Sequence, residues 1–241
     1  MSQPLVFSSA DSLSGDLEVG SSQTSFGPIG LAAGAAPPAF DSTQTVDAFN
    51  QTYNLDHADP NLLTLQVQAT KLVNNASSAG LGTDNISAQA TANIQSPGFL
   101  LTDNPLSTLS FLGLSASATF INSNSDASYV YGPNRGSLSG DASFGSLTIS
   151  GALVGGETLS FSGDAAANTI LYKSPTVTIT LDKQTLSDLL PTSGPAPVSP
   201  SRITTDALDI QLKNAPLSGN MISGDIVLGE TTASLLPPLH V

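Results

Sequence analysis

Apolar and polar residues alternate with a period of two along most of this chain. Leu63, Leu65, Val67 and Ala69 alternate with Thr64, Gln66, Gln68 and Thr70, and Ile86, Ala88, Ala90, Ala92 and Ile94 alternate with Ser87, Gln89, Thr91 and Asn93. Leu112, Leu114, Ala116, Ala118 and Phe120 repeat the pattern ahead of a polar turn region at residues 122–126, and Val177, Ile179 and Leu181 against Thr176, Thr178 and Thr180 give its clearest form. Such alternation turns one face of a strand to a core and the other to water. Further strands are expected at about 137–144, 147–153, 157–162, 168–172, 204–213 and 220–229, with a Pro-rich loop at 191–200. Two segments depart from the pattern. Val46, Phe49 and Tyr53 recur at roughly helical spacing behind Asp41 and Ser42, which would suit the cap of a short helix, and residues 183–190 could form one helical turn. Many strands at short spacing with almost no helical period predict an all-β fold, a sandwich or β-rich roll, and alanine at so many inward positions predicts closely approaching sheets.

A short signature recurs in these strands: Leu13-Ser14-Gly15-Asp16, Leu138-Ser139-Gly140-Asp141, Phe161-Ser162-Gly163-Asp164 and Ile222-Ser223-Gly224-Asp225. Its starts are too irregularly spaced for a solenoid. The first copy lies ahead of a Gly/Pro/Ala tract, so the chain divides on paper into an arm strand (1–25), a connector (26–40) and a β domain (41–241). A strand tethered away from its domain suggests donation to a neighbouring copy. Main-chain hydrogen bonds would supply affinity, and Leu13, Gly15, Leu17 and Val19 would set the register. Repeated head to tail, that contact makes a filament.

Charge narrows the partners. Six basic against nineteen acidic side chains give a net charge of −13, which repels nucleic acid and anionic headgroups. No Lys or Arg precedes Lys71. No apolar run is long enough for a membrane-spanning helix, which argues for a soluble chain without membrane insertion. The absence of cysteine removes disulfides, thiol catalysis and thiolate metal sites.

Candidate chemistry is sparse. Asp16, Asp141, Asp164 and Asp225 of the signature could gather around a calcium ion, although no Asp-x-Asp-x-Asp loop is present and Asp-Gly pairs are ordinary at strand ends. The two histidines, His57 and His240, lack a nucleophile elbow, and Tyr53 with His57 would share a face only if their segment were helical. No pair of acids is singled out for glycoside hydrolysis. Tyr129, Tyr131 and Arg135 flank Gly132-Pro133-Asn134, a turn that could touch a glycan or simply be packed by its tyrosines. Lys71, Lys173, Lys183 and Lys213 are candidates for isopeptide staples. None of this points to an enzyme or to a cofactor.

The strings Ser87-Ala88-Gln89-Ala90-Thr91-Ala92, Ala142-Ser143-Phe144-Gly145-Ser146-Leu147-Thr148-Ile149, Thr176-Val177-Thr178-Ile179-Thr180-Leu181 and Ile203-Thr204-Thr205-Asp206-Ala207-Leu208-Asp209-Ile210 resemble the choice-of-anchor class of secreted bacterial β-rich proteins, over about residues 65–235. The resemblance implies an extracellular or cell-surface bacterial protein and carries over no catalytic residue. With the detached strand, it leads to the expectation of a filament subunit of the cell surface or biofilm matrix, a self-assembling homopolymer. The alternative is a monomeric secreted module binding a glycan or another surface component.

Overall fold

The computed structural model describes residues 5–56, 63–81, 85–103, 112–130, 135–187, 201–217 and 219–236. Among them the chain forms β1 (Leu5–Val19), β2 (Ser22–Ile29) and β3 (Ala32–Ala36), followed by β4 (Asp41–Asn54) and β5 (Leu63–Ala79). Next come β6 (Asn85–Gln95), β7 (Gly98–Asp103), β8 (Leu112–Ser117), β9 (Phe120–Val130), β10 (Arg135–Ser150) and β11 (Thr158–Ala165). The last four are β12 (Thr169–Lys173), β13 (Val177–Ser187), β14 (Arg202–Leu217) and β15 (Asn220–Leu236). All the pairings are antiparallel, in two sheets: β12-β13-β14-β15-β1-β2, with β3 also on β1, and β4-β5-β6-β9-β10-β11, with β7 and β8 between β5 and β10. This is the expected all-β sandwich.

The sequence-based division fails at its first boundary. β1 pairs with β15 from Leu5↔Leu236 to Val19↔Ile222, and its other edge is taken by β2 and β3. The supposed arm is an interior strand, and the supposed connector supplies its neighbour. Phe26, Ala32 and Ala36 of that connector are buried. Residues 41–54 are strand rather than helix, 122–126 lie inside β9 rather than in a turn, and β13 runs on through Ser187.

Several strands are halves of longer ones. β6 and β7 hold one register on β5, from Lys71↔Gln95 to Gln68↔Gly98. β9 and β8 likewise hold one register on β10, from Gly145↔Phe120 to Thr148↔Ser117. The breaks line up. In the second sheet Ala48, Ser96 and Ser146, with φ of 54°, 47° and 50°, sit on alternate strands of one transverse line. In the first sheet Gly30, Gly229 and Asp182, with φ of 70°, 70° and 49°, do the same. Each sheet is therefore creased across its whole width.

At the crease the inside–outside alternation slips by one. In the first sheet two successive residues turn inward, as at Ala207-Leu208, Ser12-Leu13 and Leu228-Gly229, all buried. In the second, two successive residues turn outward, as at Asp47-Ala48, Gln95-Ser96 and Thr119-Phe120. The first sheet is thus dented toward the core where the second bulges away from it, and the sandwich bends as one body. Gly229 sits at the contact, where a Cβ would meet the Cβ of Ala207 at 3.2 Å and that of Ser123 at 3.6 Å.

The bend divides the interior. Leu13, Leu17, Phe144, Leu208, Ile226 and their neighbours form the larger apolar cluster, and Val6, Ile86, Tyr129, Ile203 and Leu235 a smaller one. Beside the crease the facing residues are small and polar. Ser125 Oγ donates to Thr205 Oγ1 (2.9 Å), and Ser123 Oγ and Ser125 Oγ each lie 2.9 Å from Thr231 Oγ1. Ser12 Oγ donates to Asn74 Oδ1 (3.0 Å). Small side chains let Cα atoms of facing strands come within 8 Å, closer than the roughly 10 Å usual between sheets. Paired hydroxyls avoid the penalty of a buried, unsatisfied polar group.

Candidate functional site

The dent in the first sheet makes a furrow on its outer face, because side chains on the two flanks of the crease converge there. One flank carries a row in direct register: Asp11 on β1 opposite Glu230 on β15, Glu230 opposite Asp206 on β14, and Asp206 opposite Lys183 on β13. The other flank contributes Asp209, then Asp225 and Asp16, which oppose each other across β15 and β1. Lys183 Nζ shows the convergence, reaching Asp209 Oδ2 at 2.9 Å and Asp206 Oδ2 at 3.7 Å from opposite sides of the crease.

An outward position on a sheet is normally wet, yet Asp11, Asp206 and Asp209 are only 7 %, 8 % and 1 % exposed. The bend accounts for this. Burial is the main force pushing the Asp11 and Asp206 carboxyls up to about 7, with the negative charge of Glu230 adding to both. Glu230 and Asp225 are raised as well, again chiefly by burial. Lys183 is raised, because its ion pairs with Asp209 and Asp206 outweigh its own burial. Asp11 Oδ1 is buried without a hydrogen-bond partner. Below the row, Lys183, Asp209, Gln211, Leu212, Lys213, Gly224 and Asp225 line an open depression of about 530 Å³.

The residues singled out from sequence are dispersed. Asp16 and Asp225 meet on the first sheet, whereas Asp141 and Asp164 lie on β10 and β11 of the second, so the proposed calcium set is not assembled. Among the described residues no group of three acids or histidines is placed to hold a metal ion. Tyr129 is buried in the smaller apolar cluster and is no ligand platform; Tyr131 lies outside the described residues, and Arg135 opens β10 opposite Val130. His57 and His240 also lie outside them. Leu13, Leu17 and Val19 are buried in their own domain, and Gly15 is where the ring of Phe26 packs. Three of the signature's glycines answer local crowding, as at Gly224, φ 126°, where a Cβ would run into the Asp16 backbone, whereas Gly163 has open space around it and a φ of 97°.

What sequence reasoning missed is the furrow. Its trace is an inward-facing pair between two polar residues inside a strand, apolar in Asp206-Ala207-Leu208-Asp209 but half polar in Asp11-Ser12-Leu13-Ser14, where strict alternation slips by one.

No family model matches the chain and no curated protein does. A solved structure that matches is the crystal structure of Ail, the attachment invasion locus protein of Yersinia pestis, at 6% identity over 96% of this chain and 99% of that chain, with a TM-score of 0.20. A likeness that slight transfers neither fold nor activity. It also gives no support to the filament subunit or to the secreted binding module expected from sequence. Both are set aside: β1 has no free edge to donate, which removes the homopolymer, and the tyrosine-flanked turn loses Tyr129 to the core. The exclusion of membrane insertion is withdrawn as well. No helix among the described residues is long and apolar enough to cross a membrane, but strands cross with about 9–11 residues and need no such run.

Proposed function

We propose that this is a non-catalytic bacterial cell-surface protein whose working surface is the acidic furrow, a site that holds cations. One observation carries the reading. Asp11, Glu230 and Asp206 stand side by side on three adjacent strands, in the concave side of the bend, with Lys183 the one cation drawn to them among the described residues. Buried carboxylates are kept paired or neutral, since an isolated buried charge is penalised heavily. A row with more carboxylates than cations therefore attracts positive charge. A catalytic division of labour receives less support: general acid and base need environments that push their pKa values apart, and here Asp11 and Asp206 are pushed the same way.

The test is thermal unfolding at pH 8 with choline, guanidinium-free sodium and magnesium salts at matched ionic strength. The melting temperature of the native chain should rise with cation concentration, and Asp11→Asn combined with Glu230→Gln should remove most of that rise. An equal rise in native and variant chains overturns the reading, since general screening of the net charge would then account for it.

A further inference from the structure

Resting on that reading, we infer that the Asp11–Glu230 end of the furrow is a receptor for one arginine guanidinium of a partner protein. The furrow already displays the interaction at its other end, where Lys183 bridges Asp209 and Asp206. Nothing among the described residues does the same for Asp11, a residue only 7% exposed whose Oδ1 is buried and lacks a hydrogen-bond partner. Beside it on the same flank of the furrow lies Glu230, directly opposite in register, with Asp206 next in the row.

The donor geometry favours one kind of cation. Cross-strand spacing sets the Cβ atoms of Asp11 and Glu230 roughly 5 Å apart, and among the described residues no third acid or histidine joins them to complete a metal-holding group. A guanidinium is planar and presents five N–H donors along its edges, so one group can donate to two carboxylates at once. It is also more weakly hydrated than an ammonium and enters a half-buried groove at lower penalty. The occupant has to come from another molecule, because the chain's own arginines are Arg135, which opens β10 in the other sheet, and Arg202, set on β14 opposite Ser234.

The experiment is calorimetric titration of the full chain at pH 8 and low salt with tetra-arginine, tetra-lysine and calcium chloride. Tetra-arginine should bind at least about tenfold more tightly than tetra-lysine. Asp11→Asn and Glu230→Gln should each weaken it at least about tenfold, whereas Asp41→Asn on the exposed edge strand β4 should not. Asp11→Asn removes a carboxyl that burial disfavours, so that variant should fold. Equal loss in the Asp41 variant, or no loss in the furrow variants, overturns the proposal as charge attraction spread over the surface. Calcium binding that depends on Asp11 and Glu230, or tetra-lysine matching tetra-arginine, overturns the guanidinium assignment and leaves the cation-holding furrow standing. Silence from all three titrants overturns both.

Discussion

The two creases are the same backbone device with opposite consequences. Both run transversely across their sheet, and both place positive φ on alternate strands. The convex one presents Asp47, Ala48, Thr70, Gln95, Ser96 and Thr119 to solvent, all exposed, and buries no carboxyl among the described residues. The concave one gathers Asp11, Asp206, Asp209, Glu230 and Lys183 and removes most of them from water. A bend alone thus converts an ordinary outward strand position into a perturbed one. The difference lies in which side of the bend a side chain occupies more than in the residue types.

That contrast predicts a large pH effect confined to the concave side. Burial and the nearby charge of Glu230 push the Asp11 and Asp206 carboxyls up to about 7, from the ordinary aspartate value of 3.8. Between about pH 4 and 7 the folded state then holds protons that the unfolded state has released, so stability is highest at mildly acid pH and falls as pH rises through 7. The two groups together should lower stability by on the order of 5 kcal/mol between pH 5 and pH 8. Denaturant midpoints across that range measure it. Asp11→Asn with Asp206→Asn should flatten the profile, and a profile that stays steep in that variant would place the titration elsewhere.

Gly229→Val should rank second. Its φ of 70° disfavours a β-branched side chain, and the inward site is closed by Ala207 and Ser123; the loss should be about 3 kcal/mol. The comparison sharpens if Ser96→Val, at the convex crease with a φ of 47° but outward and exposed, loses less. Equal losses would mean that backbone strain dominates and the nesting of the two sheets adds little.

Lys183→Met comes next. It leaves Asp209 and Asp206 without their cation, at roughly 2 kcal/mol, below the usual range for a fully buried pair because the lysine side chain is 32% exposed. The loss should be larger at pH 8 than at pH 5, where Asp206 carries its own proton. Urea denaturation of the variant at the two pH values checks both magnitude and sign. A loss independent of pH would point to the lysine stem's packing rather than its charge.

The creases also decide what could be read from sequence. The strands at 63–69, 86–94 and 177–181 follow strict alternation, and each stays on one side of a crease. Two of the misreadings lie at one. Val46, Phe49 and Tyr53 have helical spacing because the slip at Asp47-Ala48 inserts an extra outward residue into an alternating strand, turning a step of two into a step of three. The same slip leaves Phe120, read as inward, 37% exposed and buries Ile121 in its place. β1 was legible as a strand but not as an interior one, since nothing local marks its pairing with residues more than 200 positions away. The furrow was illegible for that reason too: its acids come from three strands, and only register brings them together.

The smallest predicted effect isolates the backbone. Ala48 and Ser146 adopt positive φ on the convex, exposed side, where neither packing nor charge is at stake. L-residues pay for that conformation and glycine does not, although glycine also loosens the unfolded chain. Ala48→Gly and Ser146→Gly should therefore each raise stability by at most about 1 kcal/mol, with cation response and pH profile unchanged. On the concave side Gly30 and Gly229 already occupy two of the three positive-φ positions, and the third, Asp182, is buried, so a glycine there would also remove packed side-chain atoms. A glycine variant that stabilised the chain while altering its pH profile would show that the bend angle, set jointly by the two sheets, tunes the burial of Asp11 and Asp206.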